Sequence, residues 1–132
     1  MSAELSEAQI DELEKILRAR YAQLQEEVRT ALENSGNQEL QEIAGRVRDA
    51  GEESLAMLIA DLNLTRLNQL SNEARAIERA LLEIDSGGYG ICNVCGQPIG
   101  YARLKAQPTA VLCIDDQRKQ EQEFGSGRSP SL

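Results

Sequence analysis

Three cysteines, Cys92, Cys95 and Cys113, are the only thiols in this chain of 132 residues, and all fall in one segment. Cys92-Asn93-Val94-Cys95-Gly96 has the spacing at which two thiolates converge on one ion, the glycine letting backbone pass close to the sulfurs. Cys113 follows Cys95 after seventeen residues, so a four-thiolate ribbon would place its last ligand at position 116. That residue is Asp116, a carboxylate that zinc accepts beside thiolates although it is harder and shorter in reach than cysteine. Asp115 is the only other carboxylate near enough to substitute. Spacing leaves three chemistries open: one zinc held by Cys92, Cys95, Cys113 and Asp116, a ribbon without metal, and a redox-active thiol cluster. The redox reading needs a C-x-x-C at a helix start within a βαβ unit, and no such pattern surrounds Cys92.

Other chemistry is scarce. Histidine is absent, which removes the commonest general base and the partner of most serine and cysteine nucleophiles. A net charge of -8, from 22 acidic against 14 basic residues, repels phosphate backbones and argues against direct sequence-specific DNA binding. An odd number of cysteines excludes a complete disulfide framework. No run of eighteen apolar residues occurs, and Met1-Ser2-Ala3-Glu4-Leu5 lacks the regions of a signal peptide, so the expected protein is soluble, cytoplasmic and without membrane contact.

The elements that must carry the cysteine segment are helical. Ser6-Glu7-Ala8-Gln9 has the form of a capping box. From it Ile10, Leu13, Leu17, Tyr21, Leu24, Val28 and Ala31 recur at spacings of three and four, which predicts an amphipathic helix over about residues 7–34. Asn34-Ser35-Gly36-Asn37 should stop or kink it. Leu40, Ile43 and Val47 suggest a short continuation ending at Gly51. A second long stripe, Leu55, Ile59, Leu62, Leu67, Leu70, Ala74, Ile77, Leu81 and Ile84, runs to Ser86-Gly87-Gly88. Aromatics make up only 3% of the chain, which starves a wide core, and no third and fourth long stripe completes a bundle. The expected fold is therefore mainly α: a long antiparallel coiled-coil hairpin with its turn near residues 49–54, remote from everything else. A zinc-ribbon-like module and a short C-terminal helix over residues 115–124 follow. The expected organisation is a helical hairpin region over 1–86, the cysteine module with its helix over 87–124, and a disordered tail of linker composition over 125–132.

Gly87-Gly88-Tyr89-Gly90-x-Cys92-x-x-Cys95-Gly96-x-x-Ile99, followed by Arg103-Leu104-x-Ala106-x-Pro108-Thr109-Ala110-x-Leu112-Cys113-Ile114-Asp115, resembles the zinc-finger signature of the DksA/TraR family. Glu7-Ala8-Gln9 is similar to that family's helix start. The resemblance implies a non-enzymatic, monomeric bacterial regulator that binds RNA polymerase through its secondary channel and brings an acidic coiled-coil tip toward the active-site region. The family's tip motif, Asp-x-x-Asp-x-Ala, falls on Asp49-x-x-Glu52-x-Ser54, so Asp49 is kept, Glu52 adds a methylene and Ser54 replaces a methyl with a hydroxyl. Some members bind guanosine tetraphosphate, the alarmone of the stringent response, through basic side chains; the corresponding positions here are Ala76, Gln107 and Gln117, which cannot neutralise phosphate. The competing reading is a ribbon and coiled-coil adaptor for a different protein.

Overall fold

The computed structural model describes residues 4–62 and 65–128, with side chains described as far as Glu123. Helix α1, Glu7–Glu33, starts at the capping box anticipated from Ser6 and Gln9: the Ser6 hydroxyl accepts from the Gln9 amide at 3.1 Å, and the Gln9 side chain returns the bond to the Ser6 amide. Its 27 residues make a rod about 40 Å long. Leu13, Leu17, Leu24, Val28 and Leu32 form the buried stripe. The helix stops where Asn34–Asn37 was expected to stop it, at a turn in which Gly36 takes φ +74°.

From that turn the chain departs from the simple hairpin. Helix α2, Gln38–Arg48, capped by the Asn37 side chain, runs back along α1 and buries Ala44 and Val47. A bend then leads to a single turn, α3, Leu55–Leu58, capped by Ser54. Only after further turns at residues 59–62 does the second long helix begin, α4, Thr65–Ser86. It packs antiparallel on α1: Arg20 grips Glu73 with two bonds of 2.6 and 2.8 Å, the Tyr21 hydroxyl meets Glu78, and Arg66 lies beside Thr30 and Asn34.

Two expectations need correction. The second stripe does not form one helix from residue 55, because the chain turns at 59–62 after α3 has docked on α4. The turn over residues 49–54 exists, but it is not at the remote end of the rod. The amide of Leu55 donates to the Tyr21 hydroxyl at 2.8 Å, which sets this turn against the middle of α1. The remote end is formed instead by residues 34–37 and the start of α4.

At the opposite end, residues 87–113 fold over the beginning of α1. Helix α5, Tyr101–Ala106, places Lys105 3.2 Å from Glu12, and Tyr101 donates to the same carboxylate. Helix α6, Ile114–Arg128, passes the Phe124 end foreseen for it, so residues 125–128 are helical and the expected disordered tail is corrected over that stretch. Residues 129–132 lie outside those described. Among the described residues, no helix is long and apolar enough to cross a membrane.

Candidate metal centre

The cysteine knuckle is built by backbone before any side chain is counted. The Cys92 amide donates to the Gln97 carbonyl at 2.8 Å, the Gly96 amide returns to the Cys92 carbonyl at 3.0 Å, and Ile91 bridges Pro98. Gly96, at φ +75°, closes this loop in a conformation that a side chain would strain. The third cysteine arrives on a separate strand of chain, tied to the knuckle by the Asn93 amide donating to the Val111 carbonyl at 2.9 Å. Arg103 on α5 fixes the same strand, its Nε donating to the Leu112 carbonyl at 2.9 Å. Asp116 sits in the first turn of α6 and turns back toward Cys113, whose sulfur accepts from the Asp116 amide at 3.4 Å.

These constraints bring one ligand atom each from Cys92, Cys95, Cys113 and Asp116 within 4.8 Å of one another. Cys95 Sγ lies 3.9 Å from Cys113 Sγ, and Asp116 Oδ2 lies 3.1 Å from Cys92 Sγ and 3.3 Å from Cys113 Sγ. Tetrahedral zinc with Zn–S bonds near 2.3 Å separates its sulfurs by about 3.8 Å, so the donor set fits zinc in both spacing and ligand type. It is Asp116, not Asp115, that the helix start aims inward. The crowding also shifts Asp116 and Cys95. Hydrogen bonds from Cys92, then Cys95 and Cys113, hold the Asp116 carboxyl below its ordinary value. The Gln97 backbone bond favours the Cys95 thiolate, but the Asp116 carboxylate, burial and the two neighbouring thiols outweigh it and push Cys95 up to about 12. A divalent cation would relieve this crowding of negative charge by displacing the thiol protons.

The remaining signature residues act as the frame. Leu104 is fully buried, and the Tyr89 hydroxyl donates to the Pro108 carbonyl at 2.8 Å. Burial, with the charge of Glu83, pushes Tyr89 up to about 12, so it remains a neutral donor. Gly90 takes φ +89°, a conformation that a side chain would strain, and a Cβ there would also press on Leu5 Cδ1 at 3.0 Å. Sequence reading took these positions as a pattern; their frame role was not legible, because each partner is distant in the chain.

The three residues of the acidic turn have different fates. Asp49 is exposed and, among the described residues, its ion pair is with Arg48, at 3.4 Å. Glu52 is exposed beside the α1–α4 shaft. Ser54 is not presented outward: its hydroxyl donates to Glu78 at 2.7 Å and accepts from the Met57 amide at 3.0 Å. Tyr21, which receives this turn, was legible in the sequence only as a seam position, and nothing local marked Glu78. Of the positions compared with alarmone contacts, Gln117 bonds Glu121 at 2.9 Å, keeping its amide within α6.

Comparison with known proteins bears on both regions. Residues 87–122 match the prokaryotic dksA/traR C4-type zinc finger. The chain is 31% identical over 111 residues, 84% of its length, to the RNA polymerase-binding transcription factor DksA of Haemophilus influenzae, covering 73% of that protein. The factor of the same name from Escherichia coli K12 is likewise 31% identical over 111 residues, with 70% of it covered. Among solved structures, DksA2 of Pseudomonas aeruginosa superposes with a TM-score of 0.60 at 26% identity, covering 94% of this chain and 92% of that one.

Proposed function

This chain belongs to the DksA/TraR family, and from that premise we propose that it regulates bacterial transcription in the cytoplasm by binding RNA polymerase, as a monomer and without catalysing a reaction. The single observation that carries the reading is the alignment over 84% of the chain with factors named for polymerase binding, which spans the helical shaft as well as the zinc finger. Zinc is the cofactor. We assign its ligands as Cys92, Cys95, Cys113 and Asp116, on the 4.8 Å cluster and its tetrahedral spacing. The division into a helical region over 1–86 and a zinc module over 87–124 follows the same logic, α6 belonging with the module through Asp116.

In this reading the zinc does no chemistry on a substrate. It joins the knuckle to the strand carrying Cys113 and to α6, and so makes a rigid head at one end of the shaft. The head and shaft supply binding surface. Asp49 and Glu52 supply the negative charge that acts on the polymerase, while Ser54 acts through position, as the cap and anchor of the turn. The test is co-purification with RNA polymerase and measurement of promoter-complex lifetime with and without the protein. Tight binding with a changed lifetime supports the proposal. Failure to bind polymerase would favour the adaptor reading, and binding without a change in lifetime would remove the regulatory role from the acidic turn.

A further inference from the structure

We infer that residues 38–62 are a stowed tip: a segment latched against the shaft by Tyr21 and Glu78, which unrolls to lengthen the hairpin and carry Asp49 and Glu52 to its end. The inference rests on the regulatory reading above for its purpose, but on the geometry alone for its existence.

The first ground is register. Arg20 faces Glu73 and Tyr21 meets Glu78 across the α1–α4 pair. Carried outward in that register, the two helices converge on residues 46–50, which abut a turn the chain already contains, with Gly51 at φ +61°. Any antiparallel pair converges midway along the chain between its helices; what this structure adds is that a turn already lies next to that midpoint, although the chain leaves the pairing early, at Gly36, and rejoins it at α4.

The second ground is that local sequence calls for only one of the two departures. No glycine or proline lies between Ser54 and Gly87, so the turns at 59–62 are imposed by docking and not by a breaker. At the other bend the Asn34–Asn37 signal does stop α1, with Gly36 at φ +74°, but a Ser-Gly pair is also one that a continuous helix carries as a kink. The apolar positions Leu40, Ala44 and Val47 on one arm and Leu55, Ile59 and Leu62 on the other keep helical spacing through the segment. Stowed, Ala44, Val47, Leu55 and Ile59 are buried. Unrolled, the two sets would face each other across a continued seam, so the same side chains serve both arrangements.

The third ground is the latch. Glu78 accepts from the Tyr21 hydroxyl, from the Ser54 hydroxyl at 2.7 Å and from the Ala56 amide at 3.2 Å, while the Leu55 amide donates to Tyr21 at 2.8 Å. Three polar bonds therefore hold the turn to two side chains whose own helices form the shaft, and a fourth joins those two side chains to each other. Burial, then the bond to Glu78, raises Tyr21 well above the ordinary phenol range, keeping the hydroxyl protonated as a donor. A partner that binds the long form better than the short one would shift the balance by that difference in affinity.

Small-angle X-ray scattering and amide exchange on the zinc-loaded full chain test this. The Tyr21→Phe, Glu78→Gln double variant should lengthen the particle by about 20 Å, the rise of some fifteen helical residues, with helix content kept or increased. The amides of Leu55 and Ala56 should lose protection in step. Unchanged length with helix content retained would overturn the inference. If that variant loses helix, Gly36→Ala decides, because it leaves the latch intact: it strains the stowed turn and favours a continuous helix, shifting the balance toward the long form by roughly tenfold or more. No lengthening and no loss of Leu55 and Ala56 protection in Gly36→Ala would then overturn it. Promoter-complex lifetime is measured separately: a lengthened variant with no effect on polymerase would leave the stowed tip standing and defeat the regulatory reading.

Discussion

The two ends of the molecule's chemistry are held by opposite means. In the zinc head, short loops with fixed glycines and carbonyl acceptors bring four ligand atoms to one point, and a shift of any of them by an ångström would spoil the set. In the acidic turn Asp49 and Glu52 are exposed, and the segment is positioned by an apolar stripe with a few polar bonds at Tyr21 and Glu78. A coordination site tolerates one arrangement. An amphipathic helix packs acceptably on more than one neighbour, because hydrophobic burial has no direction. The contrast suits the proposed role, a head that stays fixed while the acidic segment acts on another molecule.

The largest expected effect tests the head. Cys92→Ala should remove zinc and unfold residues 87–113 while leaving the α1–α4 pair helical, since structural zinc in small modules contributes on the order of 10 kcal/mol. Metal analysis and circular dichroism check this together; loss of the whole helical signal would mean that the shaft depends on the head. A smaller change is expected at Asp116, the proposed fourth ligand. Asp116→Ala should weaken zinc binding by about 10- to 100-fold and Asp116→Cys should tighten it, both read by competition with a chelator of known affinity. In the parent protein zinc affinity should rise with pH: Cys95, pushed up to about 12 without metal, must lose its proton to bind, so protons compete more strongly as pH falls.

The remaining expectations concern the turn. Ser54→Ala removes the cap of α3 and one bond to Glu78, and should cost about 1 to 2 kcal/mol, seen as faster amide exchange confined to residues 54–58. This reverses what the family motif alone suggests, where alanine at this position is the ordinary residue. Asp49→Asn should be the smallest in stability, within about 0.5 kcal/mol by thermal melting, because its side chain is 75% exposed and its one ion pair is with a neighbour in sequence. Its effect on promoter-complex lifetime should nonetheless be the largest of the turn substitutions. If Asp49→Asn instead lowers the melting temperature as much as Ser54→Ala, the turn is structural throughout.

Local patterns by themselves determined the helix start at Ser6, the stop at Asn34–Asn37 and both amphipathic stripes, and pointed to the four groups Cys92, Cys95, Cys113 and Asp116 that the structure brings together, because capping, periodicity and knuckle spacing act over a few residues. The choice of Asp116 over Asp115 also follows locally, from which carboxylate the first turn of α6 directs at Cys113. What those patterns could not decide is which stripe covers which. Leu40, Val47, Leu55 and Ile59 satisfy the seam of a simple long hairpin and, equally, the flank of a short one, and only the convergence of Tyr21, Ser54 and Glu78, separated by up to 57 positions, selects the second. The frame around the zinc was hidden for the same reason: Arg103 with the Leu112 carbonyl and Tyr101 with Glu12 are pairings between segments. Periodicity states that a face must be buried, and tertiary structure alone states against what.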